Sequence, residues 1–85
     1  MLLVLAVMPK AFLLINVHPG TEDDVLAYLK NIHEVREVKR VYGVYDMVVK
    51  LEAESMEKLK EVMNKQIKKL GNITSLTTLV VVSGE

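Results

Sequence analysis

The chain has 85 residues, enough for one domain and no more. Eleven Lys and Arg residues balance eleven Asp and Glu, and a formal net charge of zero argues against non-specific nucleic-acid binding and against a polybasic membrane anchor. With no cysteine, disulfides and thiolate metal sites are excluded, and two histidines in different segments do not build a structural zinc site.

Residues 1–9 are read as an N-terminal extension or an extra strand. The run Met1-Leu2-Leu3-Val4-Leu5-Ala6-Val7 lacks a basic flank and is too short to span a bilayer. The folded unit is expected over residues 10–85, in the cytoplasm, where a cysteine-free chain is at home.

Lys10 to Val17 reads as a strand, rich in Phe12, Leu13, Leu14 and Ile15, and Pro19-Gly20 ends it. Thr21 reads as the N-cap of a helix, with Asp24 as its capping-box partner. Glu22 and Asp23 suit the positive end of the helix dipole. Val25, Leu26, Leu29 and Ile32 make the buried stripe, with Tyr28 beside it. Val35 to Tyr42 and Tyr45 to Ala53 form a hairpin turning at Gly43. Ser55 caps a second helix with the stripe Met56, Leu59, Val62, Met63, Ile67 and Leu70. Glu61 and Lys65 are spaced to pair on it, and Gly71 or Asn72 supplies a left-handed cap. Ile73 to Val82 is the last strand.

The order βαββαβ closes as a ferredoxin-like α+β fold, an antiparallel four-stranded sheet with two helices on one face. The other face should be polar in a monomer. Instead the first strand alternates Ala11, Leu13, Ile15 and Val17 with Phe12 and Leu14. The last alternates Leu76, Thr78, Val80 and Val82 with Thr77, Leu79 and Val81. Strands apolar on both sides belong at or near the centre of a covered sheet. A second subunit is the simplest cover, so the open face is expected to serve dimerisation.

No nucleophile–base arrangement, P-loop or dinucleotide fingerprint is present in the sequence. His18 and His33 read as surface or interface residues. The lysines of the second helix read as its solvated face. The segment Val41-Tyr42-Gly43-Val44-Tyr45-Asp46 stands out. It has a structural reading: Gly43 permits the turn, the tyrosines pack and Asp46 bonds turn amides. It also has a functional one. Gly43 lets a ligand approach the backbone, the tyrosines wall an apolar side chain, and Asp46 holds an ammonium group or orients the loop.

The element order, Pro19-Gly20 before the first helix, the hairpin Val41–Asp46 and Thr77-Thr78 in an apolar last strand together resemble the effector-binding (RAM) domain of the Lrp/AsnC transcriptional regulators. Gly43-Val44-Tyr45-Asp46 is similar to that family's G-x-[YF]-D hairpin. The resemblance covers about Lys10 to Val82. Full-length members carry an N-terminal helix-turn-helix, for which there is no room before Lys10, so the chain looks like a stand-alone RAM protein. The resemblance implies homodimers through the sheet, further assembly up to octamers of four dimers, and an amino-acid effector bound between dimers. It implies effector contacts at Tyr42, Gly43, Tyr45, Asp46, Thr77 and Thr78. Leu76 departs from the family, where a threonine often stands. No metal, cofactor, direct nucleic acid or membrane partner is implied; mixed assemblies with full-length Lrp/AsnC regulators are an expectation of the resemblance.

The expected function is therefore a self-associating effector-binding regulatory module and not an enzyme. The alternative is a small dimeric α+β-barrel enzyme of monooxygenase or isomerase type. Such an enzyme needs a polar base or cofactor pocket between sheet and helices, and the helix-facing positions are mainly aliphatic. A purely structural oligomer ranks third.

Overall fold

A computed structural model describes residues 8–82, so the expected strand or extension before Met8 lies almost wholly outside the described residues. The elements follow the expected order. Strands β1 (Lys10–Val17), β2 (Val35–Arg40), β3 (Met47–Glu52) and β4 (Ile73–Val80) form one sheet. Helix α1 spans Glu22–Lys30, and α2 spans Met56–Val62 before widening into a π-helical turn over Met63–Ile67. The sheet order is β2-β3-β1-β4, with every neighbouring pair antiparallel. This is the ferredoxin-like α+β arrangement.

Strand alternation sorts the sheet into two faces. Ala11, Leu13 and Ile15 of β1 and Met47, Val49 and Leu51 of β3 are fully buried. They form one core with Val25 and Leu29 of α1, Leu59 and Val62 of α2, and Ile67. The opposite face carries Phe12, Leu14, Val48 and Leu79, in register across three strands. Leu79 remains half exposed. One expectation is corrected here. β1 is central, but β4 lies at the edge of the sheet, so its double-sided apolar pattern does not mark a central strand.

Several local details also differ. Thr21 occupies the N-cap of α1 without a side-chain capping bond; its backbone, at φ −105° and ψ 5°, is not in the extended conformation of a capping residue, and its hydroxyl donates to the His18 carbonyl at 2.7 Å. Glu22 Oε1 accepts from the N–H of Gly20, the residue before the N-cap, at 2.8 Å, so the expected capping box with Asp24 is replaced by a bond into the preceding turn. Ser55 does cap α2, accepting from the Lys58 N–H at 3.1 Å. Both hairpin strands are two residues shorter at the tip than the alternation suggests.

The second helix does not end in a left-handed cap, since Gly20 and Gly43 alone have positive φ among the described residues. It ends through the π-turn, with the Lys68 N–H bonded to the Met63 carbonyl at 2.8 Å. Val62 and Ile67 are five residues apart, which an α-helix would splay by about 140°. The wider turn brings both to the buried side. Glu61 pairs with Lys58 at 3.4 Å rather than with Lys65. The Tyr28 hydroxyl donates to the Gln66 carbonyl at 2.8 Å, tying α1 to this turn. No helix of the described residues is long and apolar enough to cross a membrane.

Candidate functional site

The Val41–Asp46 hairpin sits at the end of the sheet where β1 ends and β4 begins. Arg40 and Met47 form its last rung, and the Val41 N–H still reaches the Asp46 carbonyl at 3.0 Å. Beyond that the chain bends outward. Tyr42 and Val44 are almost fully exposed at the tip. Gly43 has φ 158°, a backbone conformation that L side chains rarely adopt, although a Cβ placed on it would meet no atom within 4 Å. Its role in the turn therefore rests on backbone conformation and not on a close approach of other atoms. Gly20, at φ 90° in the neighbouring loop, has the conformation that needs glycine.

Asp46 fixes the base of the hairpin through two bonds to β1. Its N–H donates to the Ile15 carbonyl at 2.9 Å, and its Oδ2 accepts from the Val17 N–H at 2.9 Å. Val17 is buried, and pairing with β4 slips between Asn16 and Val17. The carboxylate thus satisfies an amide at the point where the ladder becomes irregular. Val17 contributes through its backbone, which no side-chain pattern displays, and sequence reasoning missed it for that reason.

Tyr45, half-buried, reaches across β1 to β4, where its hydroxyl lies 3.3 Å from Thr77 Oγ1. Thr77 pairs with Leu14 and shares the open face with it, while Thr78 pairs with Leu13 on the helix side. Leu76 is partly buried against the core. The fold thus gathers Tyr45, Asp46 and Thr77 near one end of the sheet. Tyr42 and Gly43 extend from that group, and Thr78 is on the other face. A ligand touching all six positions would have to meet surfaces that one chain does not bring together.

Chemically, the region offers one committed and one uncommitted carboxylate oxygen of Asp46, two phenols and a hydroxyl. That set suits a polar zwitterion with an apolar side chain better than it suits acid–base chemistry. The core positions between sheet and helices are aliphatic.

Comparison with known proteins agrees with this architecture. A model of the Lrp/AsnC ligand binding domain matches residues 10–84. The crystal structure of FFRP-DM1 is 32% identical, with a TM-score of 0.85 over 88% of this chain and 100% of its own. AsnC of E. coli is 26% identical, with a TM-score of 0.82 over 89% of this chain and 52% of its own, so the chain spans about half of AsnC. A transcriptional regulator of Neisseria meningitidis, solved as an L-Met complex, is 13% identical and shares the fold. Its TM-score is 0.80, over 88% of this chain and 50% of its own. No curated protein matches the chain in sequence.

Proposed function

The chain belongs to the Lrp/AsnC ligand binding domain family, and on that premise we propose that it is a regulatory module that binds an amino-acid effector and self-associates. The observation that carries the proposal is the anchored hairpin. Asp46 is locked to Val17 by one carboxylate oxygen, and Tyr45 is tethered toward Thr77. A site held by its own backbone bonds is preorganised, which lowers the cost of binding.

In this reading Asp46 Oδ1 accepts from the effector ammonium, since Oδ2 is engaged with Val17. The Thr77 hydroxyl and hairpin amides answer the carboxylate. Tyr42 and Tyr45 give apolar surface for the side chain, and Gly43 keeps the tip narrow where a second subunit closes over it. Thr78, on the other sheet face, contacts effector only across a subunit boundary. A ligand at such a boundary is what the family resemblance implies.

Self-association rests on the open face. Phe12, Leu14, Val48 and Leu79 make an apolar strip, rimmed by Lys39, Lys50 and Glu37 on one side and by Asn16 and Ser75 on another. Covering it with a second copy gives a homodimer, and the exposed hairpin tips provide contacts for larger assemblies such as an octamer. The same surfaces would let it enter mixed assemblies with full-length regulators of the family. The aliphatic filling between sheet and helices favours this module over a barrel enzyme.

A thermal-shift screen of the common amino acids tests the proposal. A concentration-dependent rise in melting temperature with one or a few of them is expected, and a flat response to all at millimolar concentration would remove its main support.

A further inference from the structure

At the end of the sheet remote from the hairpin lies a cleft of about 200 Å³, lined by acids Glu34, Glu52 and Glu54, with His33, Arg36, Met8 and Ala53. β3 runs from Met47 beside the hairpin to Glu52 beside the cleft. At ~3.3 Å per residue the two regions are roughly 17 Å apart.

The charges of this cleft are unevenly matched. Glu52 is shared between Arg36, with Nε 3.4 Å from Oε1, and Lys10, with Nζ 3.9 Å from Oε2. Arg36 Nη1 also donates to the His33 carbonyl at 3.4 Å. The cations are thus engaged with Glu52 and with backbone.

Glu34 is different. It is only 9% exposed, yet its carboxylate has no hydrogen-bond or ion-pair partner among the described residues. No fully sealed polar side-chain atom lacks a partner, so the Glu34 carboxylate retains an opening, and the cleft it lines provides one. Its backbone is fixed, because the Glu34 carbonyl accepts from the Glu52 N–H at 2.9 Å. The carboxylate opens on the cleft rather than on a partner in the chain, so a cation entering the cleft meets an acceptor that can give it a charge-assisted hydrogen bond.

We propose that this cleft is a second ligand site, one that binds a small organic cation: a primary ammonium or guanidinium on a short aliphatic body. Glu34 is the anchoring carboxylate and Glu54 the second acid at the rim. Met8 and Ala53 lie against the aliphatic part. A divalent metal fits less well. It needs several oxygen ligands converging on one point, and no such group of three side chains occurs among the described residues.

Calorimetric titration of the assembled protein with 1,4-diaminobutane and with agmatine, and separately with magnesium chloride, tests this. Saturable binding of at least one of the two amines is expected, weakened about tenfold or more in Glu34→Gln and left within about twofold in Asp46→Asn. Amide NMR shifts of the wild type on adding the amine should fall on residues 33–36 and 52–54, not on 41–46. That map decides the matter even if Glu34→Gln folds poorly. Absence of saturable amine binding at millimolar concentration, binding of magnesium alone, unchanged affinity in a folded Glu34→Gln, or shifts confined to the hairpin would each overturn the assignment.

Discussion

The backbone N–H of Val17, the last residue of β1, donates to the carboxylate of Asp46, the last residue of the hairpin, at 2.9 Å. This side-chain bond, together with the Asp46 N–H to Ile15 carbonyl bond, makes the hairpin base part of the sheet rather than a free loop. The same carboxylate is the group proposed to meet the effector ammonium. One residue therefore has a structural role and a proposed binding role, and the two are separable by substitution.

Asp46→Ala leaves the buried Val17 amide without an acceptor and should cost about 1.5–3 kcal/mol of stability. Asp46→Asn keeps a carbonyl oxygen for that amide and should cost less than about 1 kcal/mol while removing the negative charge. Urea unfolding of both variants checks the order. Equal stabilities for Ala and wild type would show that the Asp46–Val17 bond contributes nothing.

The two glycines in unusual conformations should separate in the same assay. Gly20→Val forces a β-branched residue to φ 90°, at a cost of at least about 1–2 kcal/mol. Gly43, at φ 158°, is also strained by a side chain, but its Cβ would enter open space at an exposed tip, so Gly43→Val should cost less stability than Gly20→Val and act on effector binding as well. A melting temperature reduced more by Gly43→Val than by Gly20→Val would contradict this.

Much of this architecture is legible in the sequence, and the parts that are not share a physical cause. The alternation of Lys10–Val17 before Pro19-Gly20 gives β1 with its observed ends, because sheet register and turn chemistry agree there. The β2–β3 hairpin reads two residues too long at the tip of each strand because Val41, Tyr42 and Tyr45 favour extended chain. What stops the ladder is the long-range turn of Asp46 toward β1, which local preference cannot display. The π-turn is hidden for a related reason: Met63, Ile67 and Leu70 continue a helical stripe, and only the burial of both Val62 and Ile67 requires a wider turn. Thr77 and Thr78 look like one motif in sequence but alternate across the sheet. Glu34, between His33 and Val35, gives no signal in the sequence that sets it apart from the other acids.

The open sheet face should hold the assembly together. Leu79 is half exposed on it, opposite Phe12. Leu79→Lys should preserve the fold, since the side chain leaves no core position, and should shift the mass from dimer or larger toward a single chain. Light scattering at micromolar concentration reads this. A wild-type mass of one chain would remove the self-association claim itself.

With zero net charge, the chain should not discriminate one DNA duplex from another at physiological salt. Fluorescence anisotropy with unrelated duplexes checks this; tight and sequence-selective binding would contradict it.

The central claim, an amino-acid site built on the anchored hairpin, is tested most directly by calorimetric titration of wild type and Asp46→Asn, with assembly mass measured alongside. The account predicts that an amino acid binds the wild type saturably at millimolar concentration or below. It also predicts that Asp46→Asn, still assembled, binds that amino acid roughly ten- to a hundredfold more weakly, as loss of a charged hydrogen bond of about 1.5–3 kcal/mol requires. Unchanged affinity in an assembled Asp46→Asn, or no binding of any amino acid to the wild type, would contradict it.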